Sequence, residues 1–210
     1  LWEFPNAVSQ DDIDDIGFSF SRPLVVRTNS LADDENWVVI FGNGYDSANG
    51  NAALYLLDPK TGDIIKKMVA DNPTIDSGNG LSSPIAVDVN ADKKVDFVYA
   101  GDLKGNMWKF DLTGPNSVEW KVGYDDGTYD QPVFKAQGPG GTVQPITTKP
   151  EVMLHPDGHG LMVLFGTGQF LGNSDLTDRR IQSVYGIWDY GDRAHYPGEW
   201  GDYSNDDNRE

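Results

Sequence analysis

Short apolar runs and glycine turns alternate along this chain, and apolar residues almost nowhere recur at helical spacing. What does recur is a compound unit. An apolar β-rich run leads to a small-residue turn, then to a second run carrying an aromatic, and ends in an aspartate. "WVVIFGNGYDSANGNAALYLLDPKTG" fills residues 37 to 62, "VDFVYAGDLKGNMWKFDLTG" residues 95 to 114, and "LMVLFGTGQFLGNSDLTDRRIQSVYGIWDYG" residues 161 to 191. The first runs end at Phe41-Gly42-Asn43-Gly44, Ala100-Gly101-Asp102 and Phe165-Gly166-Thr167-Gly168. The second runs read "LYLLD", "MWKFD" and "YGIWD". The copies stand roughly 60 residues apart, somewhat longer than common propeller repeats.

Each copy is preceded by a strand that opens with proline: "RPLVVRT" at 22–28, "SPIAVDV" at 83–89 and "KPEVMLH" at 149–155. Proline has no amide to donate, so it suits the first residue of a strand and not its middle. A further strand follows at least twice, "DIIKKMVA" at 63–70 and "EWKVGYD" at 119–125. Four short antiparallel strands make the blade of a β-propeller, whose faces are covered by neighbouring blades. The expected fold is therefore all-β, a partial β-propeller of about three blades over residues 1–191. "LWEF" with "DDIDDIGFSF" is expected to supply one outer strand of a preceding blade. A closed ring needs more blades, so the rest of the propeller is expected from a longer chain. The start at Leu1, without Met, also reads as a processed or cropped piece. Residues 192–210 show no strand pattern and read as a mobile acidic tail.

Composition agrees with this and narrows the chemistry. Glycine (24) and proline (12) are plentiful in the 210 residues, as many turns require. The net charge is −17, which repels phosphate backbones and anionic lipid, so nucleic acid is excluded as a partner class. No apolar run approaches the ~20 residues of a membrane-spanning helix, so membrane insertion is not expected. The absence of cysteine excludes disulfides, thiolate metal sites and a cysteine nucleophile. Of 33 acidic residues 27 are aspartate, a residue of turns and of oxygen-ligand loops.

That bias concentrates in "DVNADKKVD", residues 88 to 96. Asp88, Asn90 and Asp92 occupy positions 1, 3 and 5 of a calcium loop, the carbonyl of Lys94 falls at position 7 and Asp96 at position 9. An EF-hand would need an acid at position 12, where Tyr99 stands, and flanking helices, where strands are expected. The competing reading is an acidic surface turn. Oxygens at every ligand position favour the ion, as do the bracketing strands, which crowd carboxylates that repel unless neutralised. Lys93 opposes it, standing at position 6 where glycine usually makes the left-handed turn; a non-glycine residue adopts that conformation at roughly 1–2 kcal/mol. The residues point to a strand–loop–strand site for Ca²⁺.

Taken together, the copies resemble the C-terminal β-propeller of the PilY/PilC proteins associated with type IV pili. The likeness is carried by "VDFVYAGDLKGNMWKFDLTG", by "QPITTKPEVMLHPDGHGLMVLFGTGQFLGNSDLTDRRIQSVYGIWD" at 144–189, and by the opening "LWEFPNAV…IGFSFSRPLVVR". It covers about residues 1 to 191. The resemblance implies a cell-surface protein at the pilus tip, exported through the periplasm, working with pilins or minor pilins and a host or surface adhesion target. It implies roles in adhesion and in calcium-dependent extension and retraction, with the loop ligands falling on Asp88, Asn90, Asp92, Lys94 and Asp96. Nothing here corresponds to the N-terminal region of larger members, and no Arg-Gly-Asp tripeptide occurs, so integrin binding does not carry over.

Other candidates are weaker. His155 and His159 flank "PDG" on what reads as a hairpin turn, with no third metal ligand evident. The Gly-x-Gly pairs at 42–44 and 166–168 precede no helix and read as strand-end turns rather than phosphate loops. Trp108 and Trp188 sit in the repeated strand and read as blade core rather than as a sugar platform. "LYLLDPKTGDIIKKM" is similar to blades of the quinoprotein-like propellers, whose oxidoreductases also use calcium. A quinoprotein fragment and a carbohydrate-binding propeller with structural calcium remain the alternatives. No nucleophile–base pairing is evident, and the chain is not expected to be an enzyme.

Overall fold

The computed structural model describes residues 1–5, 9–70 and 78–191; the tail expected at 192–210 lies outside the described residues. Among the described residues twelve strands form three antiparallel sheets, whose main strands follow one another in chain order. Blade 1 runs β1 (Leu24–Arg27), β2 (Trp37–Gly42), β3 (Ala53–Leu57), β4 (Ile64–Val69). Blade 2 runs β5 (Ile85–Val87), β6 (Phe97–Gly101), β7 (Asn106–Asp111), β8 (Lys121–Val122), with β9 (Phe134–Lys135) also on β7. Blade 3 runs β10 (Glu151–Leu154), β11 (Leu161–Gly166), β12 (Val184–Asp189). Pro23, Pro84 and Pro150 each immediately precede the first strand of a blade, where no amide is needed.

The blades stack face to face, and period-2 alternation sorts each strand's side chains between two interfaces. Val38, Ile40, Leu54 and Leu56 of blade 1 meet Val98, Ala100, Trp108 and Phe110 of blade 2 in one core. Phe97, Tyr99 and Met107, on the other face of blade 2, meet Leu161, Val163 and Phe165 of blade 3. Because blade 2 is covered on both sides, every residue of β6 and β7 is buried. The continuous apolar run at 97–101 follows from that double cover.

The fourth strand of blade 2 is split. Sequence predicts it over 119–125, yet only Lys121–Val122 pairs, against Asp111 and Phe110. The chain then leaves β7, and β9 returns to pair with Asn106 and Met107 at the other half of the same edge. The excursion 123–133 divides one edge between two short strands. No apolar alternation marks β9 in the sequence, so it is visible only from the edge it fills.

The opening segment corrects an expectation. "LWEF" with "DDIDDIGFSF" forms no outer strand: Gln10–Asp14 is a short helix, α1, and only Phe18 makes a single bridge, to Tyr45. Ser9 caps it, its Oγ accepting the Asp12 amide at 3.2 Å, and Asp11 and Asp12 sit in the first turn where the helix end is partly positive. Lys67 of β4 then gathers three carboxylates, Asp11, Asp12 and Asp15, at 3.0, 2.9 and 2.9 Å. Trp2, Phe4 and Ile16 pack over Ala53, Tyr55 and Leu57. The segment covers blade 1's outer face instead of extending a sheet.

The small-residue turns show why glycine recurs. A Cβ on Gly101 would stand 2.2 Å from Ile146 Cγ2, and one on Gly42 would stand 2.2 Å from the Ser82 carbonyl oxygen. At both, the segment entering the next blade crosses directly over the turn. The polar residue that follows anchors the crossing. Asn43 Oδ1 accepts the amides of Ala53 and Leu81, and buried Asp102 accepts from Lys104, Asn106, Asn79 and Trp108.

Candidate calcium loop between blades 1 and 2

Residues 88–96 leave β5 and return to β6 at directly paired residues, Val87 opposite Phe97. The Asp96 amide donates to Val87 O at 2.9 Å, and the Val89 amide donates to Asp96 Oδ2 at 2.9 Å, so the neck of the loop is closed twice. Inside it, side-chain oxygens hold the backbone in consecutive turns. Asn90 Oδ1 accepts the Asp92 amide at 2.9 Å, Asp92 Oδ1 the Lys94 amide at 2.8 Å, and Asp88 Oδ2 the Lys93 amide at 2.7 Å. Lys93 has φ +70°, the left-handed turn expected at position 6. Ala91 has φ +63°, a second left-handed residue that no side-chain rule singled out.

The five sequence-derived ligands therefore share one tight loop, in two environments. Asp88, Asn90 and Asp92 are exposed, Lys94 is half-buried, and Asp96 is buried at 4% exposure. Burial pushes the Asp96 carboxyl up from its ordinary value, and the neighbouring charges of Asp88 and Asp92 push the same way. Hydrogen bonds from Val89 and Asn29 oppose the rise without cancelling it. Lys94 Nζ stands 4.0 Å from Asp92 Oδ2, a loose contact at half-exposed groups.

A hard cation fits this donor set in chemistry. The oxygens are carboxylate, amide and carbonyl, the backbone already makes the tight turn, and burial with the neighbouring carboxylates disfavours the charged form of Asp96 in a way a cation would offset. As the side chains stand, neither Asp88, Asp92 and Asp96 nor any other group of three or more His, Asp or Glu among the described residues is arranged to hold a metal ion.

Sequence reasoning missed Asn29, in the β1–β2 connection of blade 1, whose amide reaches both Val95 O and Asp96 Oδ1 at 3.0 and 3.1 Å. Nothing in "RTNSL" marks it, because its partner lies 67 residues downstream. A second missed cluster joins blades 2 and 3: Lys109 Nζ lies 2.9 Å from buried Asp189 and 4.0 Å from the Phe97 ring, and Tyr99 and Tyr124 donate to Asp189. Of the weaker candidates, Trp108 is placed as blade core, whereas Trp188, expected there too, is half-buried outside the core clusters and stacks on the 155–159 turn. His155 stacks on Trp188 with ring centroids 4.2 Å apart, and its Nδ1 accepts the Asp157 amide inside the turn. Trp108 is fully buried in the core between blades 1 and 2. At the first Gly-x-Gly pair, Gly44 N donates to Leu81 O, a strand-end contact.

Three stacked antiparallel meanders of up to four main strands, joined through glycine turns at their ends, define an arc of a β-propeller. The model of the PilY1 beta-propeller domain family matches residues 2–198, and the chain belongs to that family. It is 38% identical over 208 residues to the type IV pilus biogenesis factor PilY1 of Pseudomonas aeruginosa, covering 90% of this chain and 17% of the relative. It is 36% identical over 200 residues to a PilY1 homolog of Xylella fastidiosa, covering 91% of this chain and 13% of the relative. The crystal structure of the Pseudomonas aeruginosa PilY1 C-terminal domain superposes with a TM-score of 0.76 at 36% identity, covering 87% of this chain and 40% of that one. The chain thus spans less than a fifth of the length of these curated relatives.

Proposed function

We propose that this chain is a calcium-binding propeller segment of a type IV pilus protein, displayed at the cell surface on the pilus tip. The relatives' names and the family match support the association with pili. The role is one of binding and regulation rather than catalysis: contact with pilins or minor pilins and with a surface adhesion target, under control of calcium at residues 88–96. The observation that carries the calcium reading is Asp96. A carboxylate buried beside two further aspartates is held up from its ordinary pKa, and a cation would relieve both the burial and the repulsion.

In this role the loop oxygens of Asp88, Asn90, Asp92, Asp96 and the Lys94 carbonyl would hold Ca²⁺, which would supply positive charge at the buried Asp96 carboxylate. The chain's own contribution is to close the neck of the loop and keep Asp96 aimed inward. A cation that binds only the folded chain adds RT ln(1 + [L]/Kd), about 2.7 kcal/mol at a hundredfold excess over Kd. Calcium titration by calorimetry on the wild-type chain and on Asp96→Ala tests the reading. One site lost in the variant supports it; no heat in the wild type refutes it. A Kd near ambient calcium marks a switch, and one far below marks a permanent brace.

A further inference from the structure

Asp96 is held by two different blades. Its Oδ2 accepts the Val89 amide from its own loop, and its Oδ1 accepts Nδ2 of Asn29 from blade 1. The same Nδ2 donates to Val95 O at 3.0 Å, and the Val95 amide donates to Arg27 O, at the end of β1, at 2.8 Å. Blade 1 therefore grips the last two residues of the loop directly.

The connection that carries Asn29 reaches a second part of blade 2 as well. The Leu31 amide donates to Pro115 O at 2.9 Å. Glu35 accepts from Ser30 Oγ at 2.7 Å and from the amide and hydroxyl of Ser117 at 2.8 and 2.6 Å. Residues 28–36 thus bridge the end of the 88–96 loop and the β7–β8 connection.

We propose that Asn29 is a positioning residue for the loop, and that through it calcium on Asp96 sets the order of the blade 1 connection 28–36. This rests on the calcium reading above. A carboxylate offers about four lone-pair sites, and the two N–H donors on Asp96 fix its orientation while leaving acceptor capacity on each oxygen. Hydrogen bonds to a ligand from outside the coordination sphere orient it, and their loss typically costs ~10–100-fold in metal affinity. An amide side chain suits position 29. It donates to a carbonyl and a carboxylate at once, where aspartate would oppose oxygen to both and alanine would leave both without this donor.

The test is amide hydrogen exchange on the 210-residue chain, in calcium chloride and in chelator, for wild type and Asn29→Ala, with calorimetry alongside. In the wild type, calcium is expected to slow exchange in 88–96 and also in 28–36, where the Thr28 and Leu31 amides, bonded to Asn36 O and Pro115 O, are the reporters. In Asn29→Ala, calcium binds about tenfold more weakly. At saturation it still protects 88–96, while 28–36 keeps its exchange rate in chelator. A variant whose 28–36 segment responds like the wild type overturns the inference. So does a wild type in which calcium protects 88–96 alone, a comparison that stands even if the variant fails to fold. Absence of both heat and protection removes the calcium reading itself, a different failure from the other two.

Discussion

Replacing Lys109 by methionine tests how blades 2 and 3 are held together. The ammonium is 2.9 Å from Asp189, with side-chain exposures of 6% and 2%, so both charges are out of water. Burial pushes the Asp189 carboxyl up, yet the Lys109 charge and the Tyr124 and Tyr99 hydroxyls outweigh it and hold the group below its ordinary value. Taking away the lysine leaves a buried carboxylate with hydrogen bonds and no counter-charge. Breaking a buried pair from one side costs about 3–5 kcal/mol. The Nζ–Phe97 contact at 4.0 Å adds about 1–2 kcal/mol to what is lost, partly offset by the methionine packing on the same ring. Asp189→Asn should cost a similar amount, because it strands the ammonium. The double variant Lys109→Met/Asp189→Asn should recover at least about 2 kcal/mol of the summed losses, since no buried charge is left and the asparagine carbonyl still accepts from a tyrosine. Urea unfolding of the four proteins measures the cycle. Single losses below about 1 kcal/mol, or additive losses, would refute the claim that this pair is a buried inter-blade clamp. The sign with pH follows as well. The depressed folded-state value means that Asp189 contributes stability above its unfolded pKa, near 3.9, and loses it as pH falls through the folded value.

Three further expectations follow from single positions. Lys93→Gly removes a side chain from a residue at φ +70° and should raise stability by about 0.5–1 kcal/mol with calcium binding retained; a lower melting temperature in both calcium and chelator counts against the left-handed turn. Gly101→Ala puts a methyl 2.2 Å from Ile146 Cγ2 and should cost about 1–3 kcal/mol in urea unfolding, whereas Gly140→Ala, with no atom within 4 Å and φ +74°, should cost about 1 kcal/mol. Asp96 titrates in the opposite sense to Asp189. With its folded value raised, the folded chain binds the extra proton between the unfolded and folded pKa. In chelator, the stability of wild type relative to Asp96→Asn should therefore fall as pH rises through that window; a rise, measured by urea unfolding across the acid range, contradicts the buried, repelled carboxylate.

The residues themselves were enough to define the blades. Proline at the head of each first strand, the small-residue turn after each second, and the aromatic run before an aspartate recur because each blade solves the same problem of edge, turn and shared face. Pro23, Pro84 and Pro150, Gly42 and Gly101, and the buried Trp108 stand where that pattern predicts. That residues 88–96 form a tight, oxygen-rich loop between two strands was legible for a related reason, since its oxygen-bearing side chains alternate within nine residues. Lys93 at the left-handed position was legible too, and Ala91 was not, because alanine has no special preference for that backbone.

What only the tertiary structure decided lies between segments distant in the chain. Asn29 meets Asp96, Lys109 meets Asp189, and Lys67 meets Asp11 and Asp12 of α1 and Asp15 at its end, in a segment that covers blade 1 where a strand was expected. β9 is a strand only because the edge of β7 beyond β8 needs a partner. Local periodicity reports which face of a strand is apolar, and that is a property of neighbours in sequence. Whether a polar group is buried, and which distant donor or charge then compensates it, depends on how the blades stack; desolvation, and with it the strength of each of these pairs, exists only once the fold has closed over them.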